Sequence, residues 1–196
     1  MQSLLMALML AGAGPAPASA EVRRIAMLIN DFRRANGLPP VAISPALTEV
    51  ADAHVHDLEE HRPDLAVDVS GRRCNMHSWS AASGWTPVCY TPDHARAEMM
   101  WGKPREVTRG RYPGMGFEIA ARHSIGIDAD TAFDLWRSSR DHLDVILETG
   151  PWRGARWQAM GIGLDGQFAV IWFGKAPDMG AARRASRNKV AIGIGK

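Results

Sequence analysis

Two imidazoles and one carboxylate, His77, Glu118 and His142, are the side chains best suited to chemistry in this 196-residue sequence. Each sits in its own short patch: C-N-M-H-S-W-S at Cys74 to Ser80, G-F-E-I-A at Gly116 to Ala120, and W-R-S-S-R-D-H at Trp136 to His142. Gathered in space, such a set holds a divalent metal or moves protons. None of the three lies near another in sequence, so only the fold can bring them together. The commoner catalytic motifs are absent. There is no H-E-x-x-H helix and no G-x-S-x-G turn, so Ser78 and Ser80 have no motif-level claim to be nucleophiles. His94 is a spare candidate that suits a capping role equally well.

The elements that must position these groups are legible in part. Ile25, Leu28, Ile29 and Phe32 follow helical spacing, with Gly37 placed to end the helix and Pro39-Pro40 to stop it continuing. Ser44 and Pro45 read as the cap and first residue of a second helix, whose buried stripe is Leu47, Val50, Ala51, His54 and Leu58. His54 on that stripe reads as a satisfied core histidine rather than a ligand. His56, two residues on, faces elsewhere, and His56 with Glu60 reads as a solvated surface pair. Thr91-Pro92 is expected to start a short helix reaching about Trp101, with Asp93 in its first turn.

A further helix is expected from about Asp130, interrupted at Ser138 and Ser139 so that Ser139 caps the part bearing His142. Two β-rich runs around Asp165-Gly166 predict a terminal hairpin. Phe168, Val170 and Trp172 point one way and Ala169, Ile171 and Phe173 the other, so that strand needs cover on both faces. The architecture expected is α+β, a three-layer α-β-α sandwich around an antiparallel sheet.

The ends set the compartment. An apolar stretch from Leu4 to Ala11 leads to Ala18-Ser19-Ala20, which suits cleavage after Ala20. Residues 1–20 therefore read as a signal peptide, 21–175 as one folded domain and 176–196 as a disordered basic tail. An uncleaved anchor is the alternative, since the leader lacks Lys and Arg. From Pro177 onward the net charge is +4, which leaves the rest at −2, so no nucleic-acid surface is indicated. Export to a secreted or periplasmic location makes Cys74 and Cys89 a disulfide candidate worth about 3 kcal/mol. Free buried thiols are the alternative; zinc bound by the pair is disfavoured because no C-x-x-C spacing occurs.

The three patches in this order resemble the CAP superfamily (cysteine-rich secretory, antigen five and pathogenesis-related proteins), in its bacterial exported branch. L-I-N-D-F-R-R-A-N-G-L and S-P-A-L-T-E-V-A are similar to its opening helices, and F-E-I-A to its G-E-N-I-A box. W-R-S-S-R-D-H-L-D-V-I-L resembles W-x-x-S-x-x-H-x-x-N-I-L, and the likeness runs from Ile25 to Phe173. It implies a cleft in which His77, Glu118 and His142 face one another, supported by Ser139, Trp136 and Trp79. In some members such a cleft holds a divalent metal, zinc or calcium. A second family glutamate falls on Ser139, whose neutral hydroxyl is a poor ligand, leaving three donors and an open position for water.

The function implied is a non-enzymatic binding module for a small apolar molecule, an envelope polymer or a protein. The alternative is a metal-dependent hydrolase acting on peptide or another envelope polymer, with Glu118 as ligand or general base. Trp79, Trp85 and Trp136 read as core or cleft-wall residues.

Overall fold

The computed structural model describes residues 19–178. Helix α1 (Ala20–Ala35) opens on Ser19, whose hydroxyl accepts from the Val22 amide, and closes at Asn36 ahead of Gly37. Ser19 and Ala20 are thus helix-forming here, while the rest of the expected signal peptide lies outside the described residues. A short strand β1 (Ala42–Ile43) leads into helix α2 (Pro45–His61), capped by Ser44 as its sequence predicts. Two five-residue helices follow, α3 (Ala97–Trp101) and α4 (Lys103–Val107). Strand β2 (Gly116–Arg122) carries the F-E-I-A patch. Helices α5 (Ala129–Ser138) and α6 (Arg140–Ile146) break at Ser139, and strands β3 (Ala159–Asp165) and β4 (Phe168–Gly174) form the terminal hairpin.

The sheet runs β1-β3-β4-β2. It is mixed rather than purely antiparallel, because β1 pairs parallel to β3 through Ala42 and Ile43. The hairpin motif fixes only the β3–β4 pair; two residues ahead of a helix cap carry too little pattern to announce a strand. Alternation along β4 divides the core in two. Phe168, Val170 and Trp172 pack under α2 with Leu47, Val50, Ala51 and Leu58. Ala169, Ile171 and Phe173 pack on the opposite face against α1 and α5 through Ile25, Ile29, Ala132 and Trp136. Helix, sheet and helix make the three layers.

Two glycines set how closely α2 approaches. A Cβ on Gly161 would lie 2.0 Å from the carbonyl carbon of Leu47, and one on Gly163 would lie 2.5 Å from that of Ala51. The backbone of α2 therefore rests directly on the backbone of β3. That contact brings His54, one turn beyond Ala51, over the sheet.

Three expectations need correction. The helix expected from Thr91 begins at Ala97 instead, because His94 takes a left-handed backbone (φ 57°) that a helix cannot continue. Asp93 is consequently no helix-dipole partner; it accepts from Thr91 and Ala95 and pairs with Arg72. The folded chain also runs past residue 175. Ala176 accepts a hydrogen bond from the Tyr112 hydroxyl, and Asp178 accepts from the Ser44 hydroxyl (2.7 Å) and the Ala46 amide (3.1 Å). Residues 179–196 of the expected tail lie outside the described residues.

Candidate functional site

The disulfide Cys74–Cys89, with 5.0 Å between its Cα atoms, joins the two segments that frame the site. Asn75 donates its amide to the Tyr90 carbonyl, and Trp79 and Val88 exchange a pair of backbone bonds. Helix α2 straps the first segment down at alternate residues. The His54 ring binds the Ser78 carbonyl, and Asp57 accepts from the Ser80 amide at 2.8 Å. His77 lies just ahead of these anchors, its amide bonded to the Asn75 side chain.

Glu118 is placed by register. It pairs across the sheet with Trp172 of β4, which pairs in turn with Gly161 of β3, so it points into the α2 layer. Its side chain is wholly buried and both oxygens are occupied. Oε1 lies 2.5 Å from Nδ1 of His54, and Oε2 lies 2.8 Å from Nδ1 of His77. Burial alone would push this carboxyl up. The charge and hydrogen bond of His54, then the hydrogen bond and charge of His77, outweigh burial and hold it below its ordinary value.

His54 is the residue the sequence reading placed in the core without a role. It is fully buried and satisfied at both ring nitrogens, and its plane stacks on Trp79 at 4.2 Å and 7°. A signal was available: a buried imidazole needs two polar partners, and F-E-I-A offered a carboxylate between apolar neighbours.

His77 reaches the surface with 24% of its side chain exposed. Tyr90 meets it edge-on at 5.4 Å, and the Tyr90 hydroxyl lies 2.7 Å from Nδ1 of His94. Burial first, then the Glu118 charge, raises the Tyr90 phenol, which keeps it protonated. Beyond it a cavity of about 440 Å³ is lined by His94 to Met99 and by Trp101.

His142 stands near enough to His77 to feel its charge, but no hydrogen bond joins it to Glu118. Its Nδ1 is buried without a partner. Burial, then the His77 charge, pushes it down to about 4, with Asp141 opposing weakly. A folded value below the unfolded 6.5 means that the unfolded chain takes up the extra proton first. Stability at this position is therefore fully present above pH 6.5 and falls as pH drops toward 4. His142→Phe, which removes the unsatisfied nitrogen, is expected to lose less stability than the parent between pH 7 and 5. Urea denaturation at the two values checks this; equal losses would contradict it.

Of the remaining expected residues, Trp79 and Trp136 are buried core, and Ser139 is half-buried at the cap position of α6 with no capping bond from its side chain. His56 is exposed beside Asp165 (3.6 Å).

The donor set does not suit a metal. Both Glu118 oxygens face imidazoles, and the described residues contain no group of three His, Cys, Asp or Glu side chains arranged to hold an ion. The histidine pair His77 and His142 falls short of the three protein ligands usual at a catalytic zinc.

The family model for the cysteine-rich secretory protein family (CAP) matches residues 27–150. A search of curated proteins returns no match. Among solved structures, the chain is similar to an extracellular protein containing an SCP domain from Bacillus anthracis, at 16% identity and a TM-score of 0.53. That alignment covers 83% of this chain and 45% of the other. A cysteine-rich secretory protein from Staphylococcus aureus aligns at 15% identity and a TM-score of 0.48, over 80% of this chain and 39% of the other. An outer surface protein from Borrelia burgdorferi aligns at 17% and 0.48, over 79% and 91%. The chain thus spans less than half the length of the first two.

Proposed function

Because the chain belongs to the cysteine-rich secretory protein family, we propose that it is an exported, non-enzymatic binding module of the cell envelope or extracellular space, taking its ligand at the outer edge of His77. The observation that carries this reading is the asymmetry of that imidazole. Nδ1 is fixed by a wholly buried carboxylate, while the side chain is part-exposed beside Tyr90. A ring held so firmly presents its other nitrogen in one direction at little entropic cost on binding. His142, kept neutral by burial, adds polarity without charge.

Export is supported by the apolar leader, by the disulfide, which persists in oxidising compartments, and by the extracellular Bacillus anthracis protein of like fold. No helix among the described residues is long and apolar enough to cross a membrane. The ligand classes that fit are a small, largely apolar molecule, an envelope polymer or a partner protein. Metal-assisted hydrolysis would need a third donor that the arrangement of Glu118 does not offer.

The test is a screen of the folded chain against lipids, glycans and envelope proteins, repeated with His77→Ala. At least one ligand is expected to bind the parent and to bind His77→Ala at least tenfold more weakly. A screen with no binder, or binders indifferent to His77, would overturn the reading.

A further inference from the structure

The hydrogen bonds around His54 count the protons at the centre of the site. Nε2 lies 3.0 Å from the Ser78 carbonyl oxygen, which can only accept, so Nε2 carries hydrogen. Nδ1 lies 2.5 Å from Glu118 Oε1. A single proton fills that gap. Held on Nδ1, it makes an imidazolium beside a carboxylate; held on Oε1, it makes a neutral imidazole beside a carboxylic acid. The formal charge of the pair is zero either way. In both cases Oε2 accepts from Nδ1 of His77, so a neutral His77 turns the lone pair of Nε2 outward.

Among the described residues, the groups facing the pair leave this balance intact. Trp79 stacks on His54 and Trp172 tilts against it at 6.1 Å, both uncharged. Tyr90 keeps its proton. On α2, Asp57 turns to Ser80. Lys103 lies across the Trp79 ring and is paired with Glu106.

We infer that His54 cancels the charge of Glu118 from inside the core, so that the site selects an uncharged hydrogen-bond donor, a hydroxyl or an amide, over a divalent cation. The selectivity rests on the reading of His77 as the binding edge; the cancellation does not. A carboxylate behind a histidine ordinarily strengthens that histidine toward metals, by about 10- to 100-fold in affinity. Here an imidazolium on the far oxygen offsets it.

Two measurements on the full chain decide the matter. The first is NMR at pH 7 of the histidine ring nitrogens and the Glu118 carboxyl carbon. Both His54 nitrogens carrying hydrogen beside an ionised Glu118 supports the inference; a protonated Glu118 overturns it. A singly protonated His54 beside an ionised Glu118 overturns it. The second is calorimetric titration with zinc alone. His54→Gln can donate to Glu118 but carries no charge, so its zinc affinity is expected to exceed the parent's by about tenfold, and to disappear with His77→Ala. A parent that binds zinc as tightly as His54→Gln overturns the selectivity. Should His54→Gln not fold, the NMR result on the parent decides alone. Indifference of every ligand to His77 defeats the binding reading while leaving the proton count to NMR.

Discussion

Glu118→Ala is expected to destabilise the protein by about 4 kcal/mol, since removing one partner of a buried charged pair costs roughly 3–5 kcal/mol. Two imidazoles lose their acceptor at once, and the one on His54 has no access to water. Glu118→Gln keeps the volume and one acceptor and should cost distinctly less. The sign with pH follows from the lowered carboxyl. Its contribution is present above the unfolded carboxylate value and is lost as pH falls through the lower folded one. The parent should therefore forfeit stability in acid that Glu118→Ala never had. Urea denaturation at pH 7 and at pH 3 measures both effects. A Glu118→Ala protein within about 0.5 kcal/mol of the parent, the range of an ordinary surface change, would mean that the bonded pair is not formed.

Gly161→Ala should cost about 3 kcal/mol, at the upper end of overpacking penalties. The added methyl meets the carbonyl carbon and oxygen of Leu47 at 2.0 and 2.2 Å. These are backbone atoms, which cannot swing aside as a side chain would. Relief requires α2 to lift from β3, and lifting α2 draws His54 away from Glu118. The variant should thus lose the His54 imidazole signature along with its stability. Gly84→Ala is the control: its backbone is unstrained and no atom lies within 4 Å, so its change should stay within about 0.5 kcal/mol. Equal effects at the two glycines would show that α2 does not rest on the sheet as described.

The sequence made much of the scaffold readable because strong local signals and tertiary demands agree. Ser44-Pro45 starts α2, the Asp165-Gly166 pair turns the hairpin, and the two-faced apolar pattern of β4 requires a layer on each side. The disulfide was readable from two cysteines behind a leader that suggests export. The F-E-I-A strand and α4 carried no such punctuation. The site was readable as a set of residue types but not as a set of contacts. His77 and Glu118 do meet, yet the second imidazole on the carboxylate comes from His54, whose place on the apolar stripe argued for the core. Both properties hold together, because a core position beside the sheet is where a buried carboxylate needs a partner. His142, marked by its motif, lies close to His77 but is bonded to neither carboxylate oxygen. Which of two histidines reaches a carboxylate depends on how α2 crosses the sheet, and the glycines that set this lie in β3, more than a hundred residues downstream of His54.

That dependence gives assembly a direction. The strand bearing Glu118 finds its β-partner in β4, α2 has its seat in β3, and the Asp178 carboxylate at the start of α2 comes later still. A polypeptide emerging from its amino end holds the histidines of α2 and the Cys74 loop long before anything can organise them. Contacts so distant along the chain favour slow acquisition of structure. Such a chain stays open until its final strands appear.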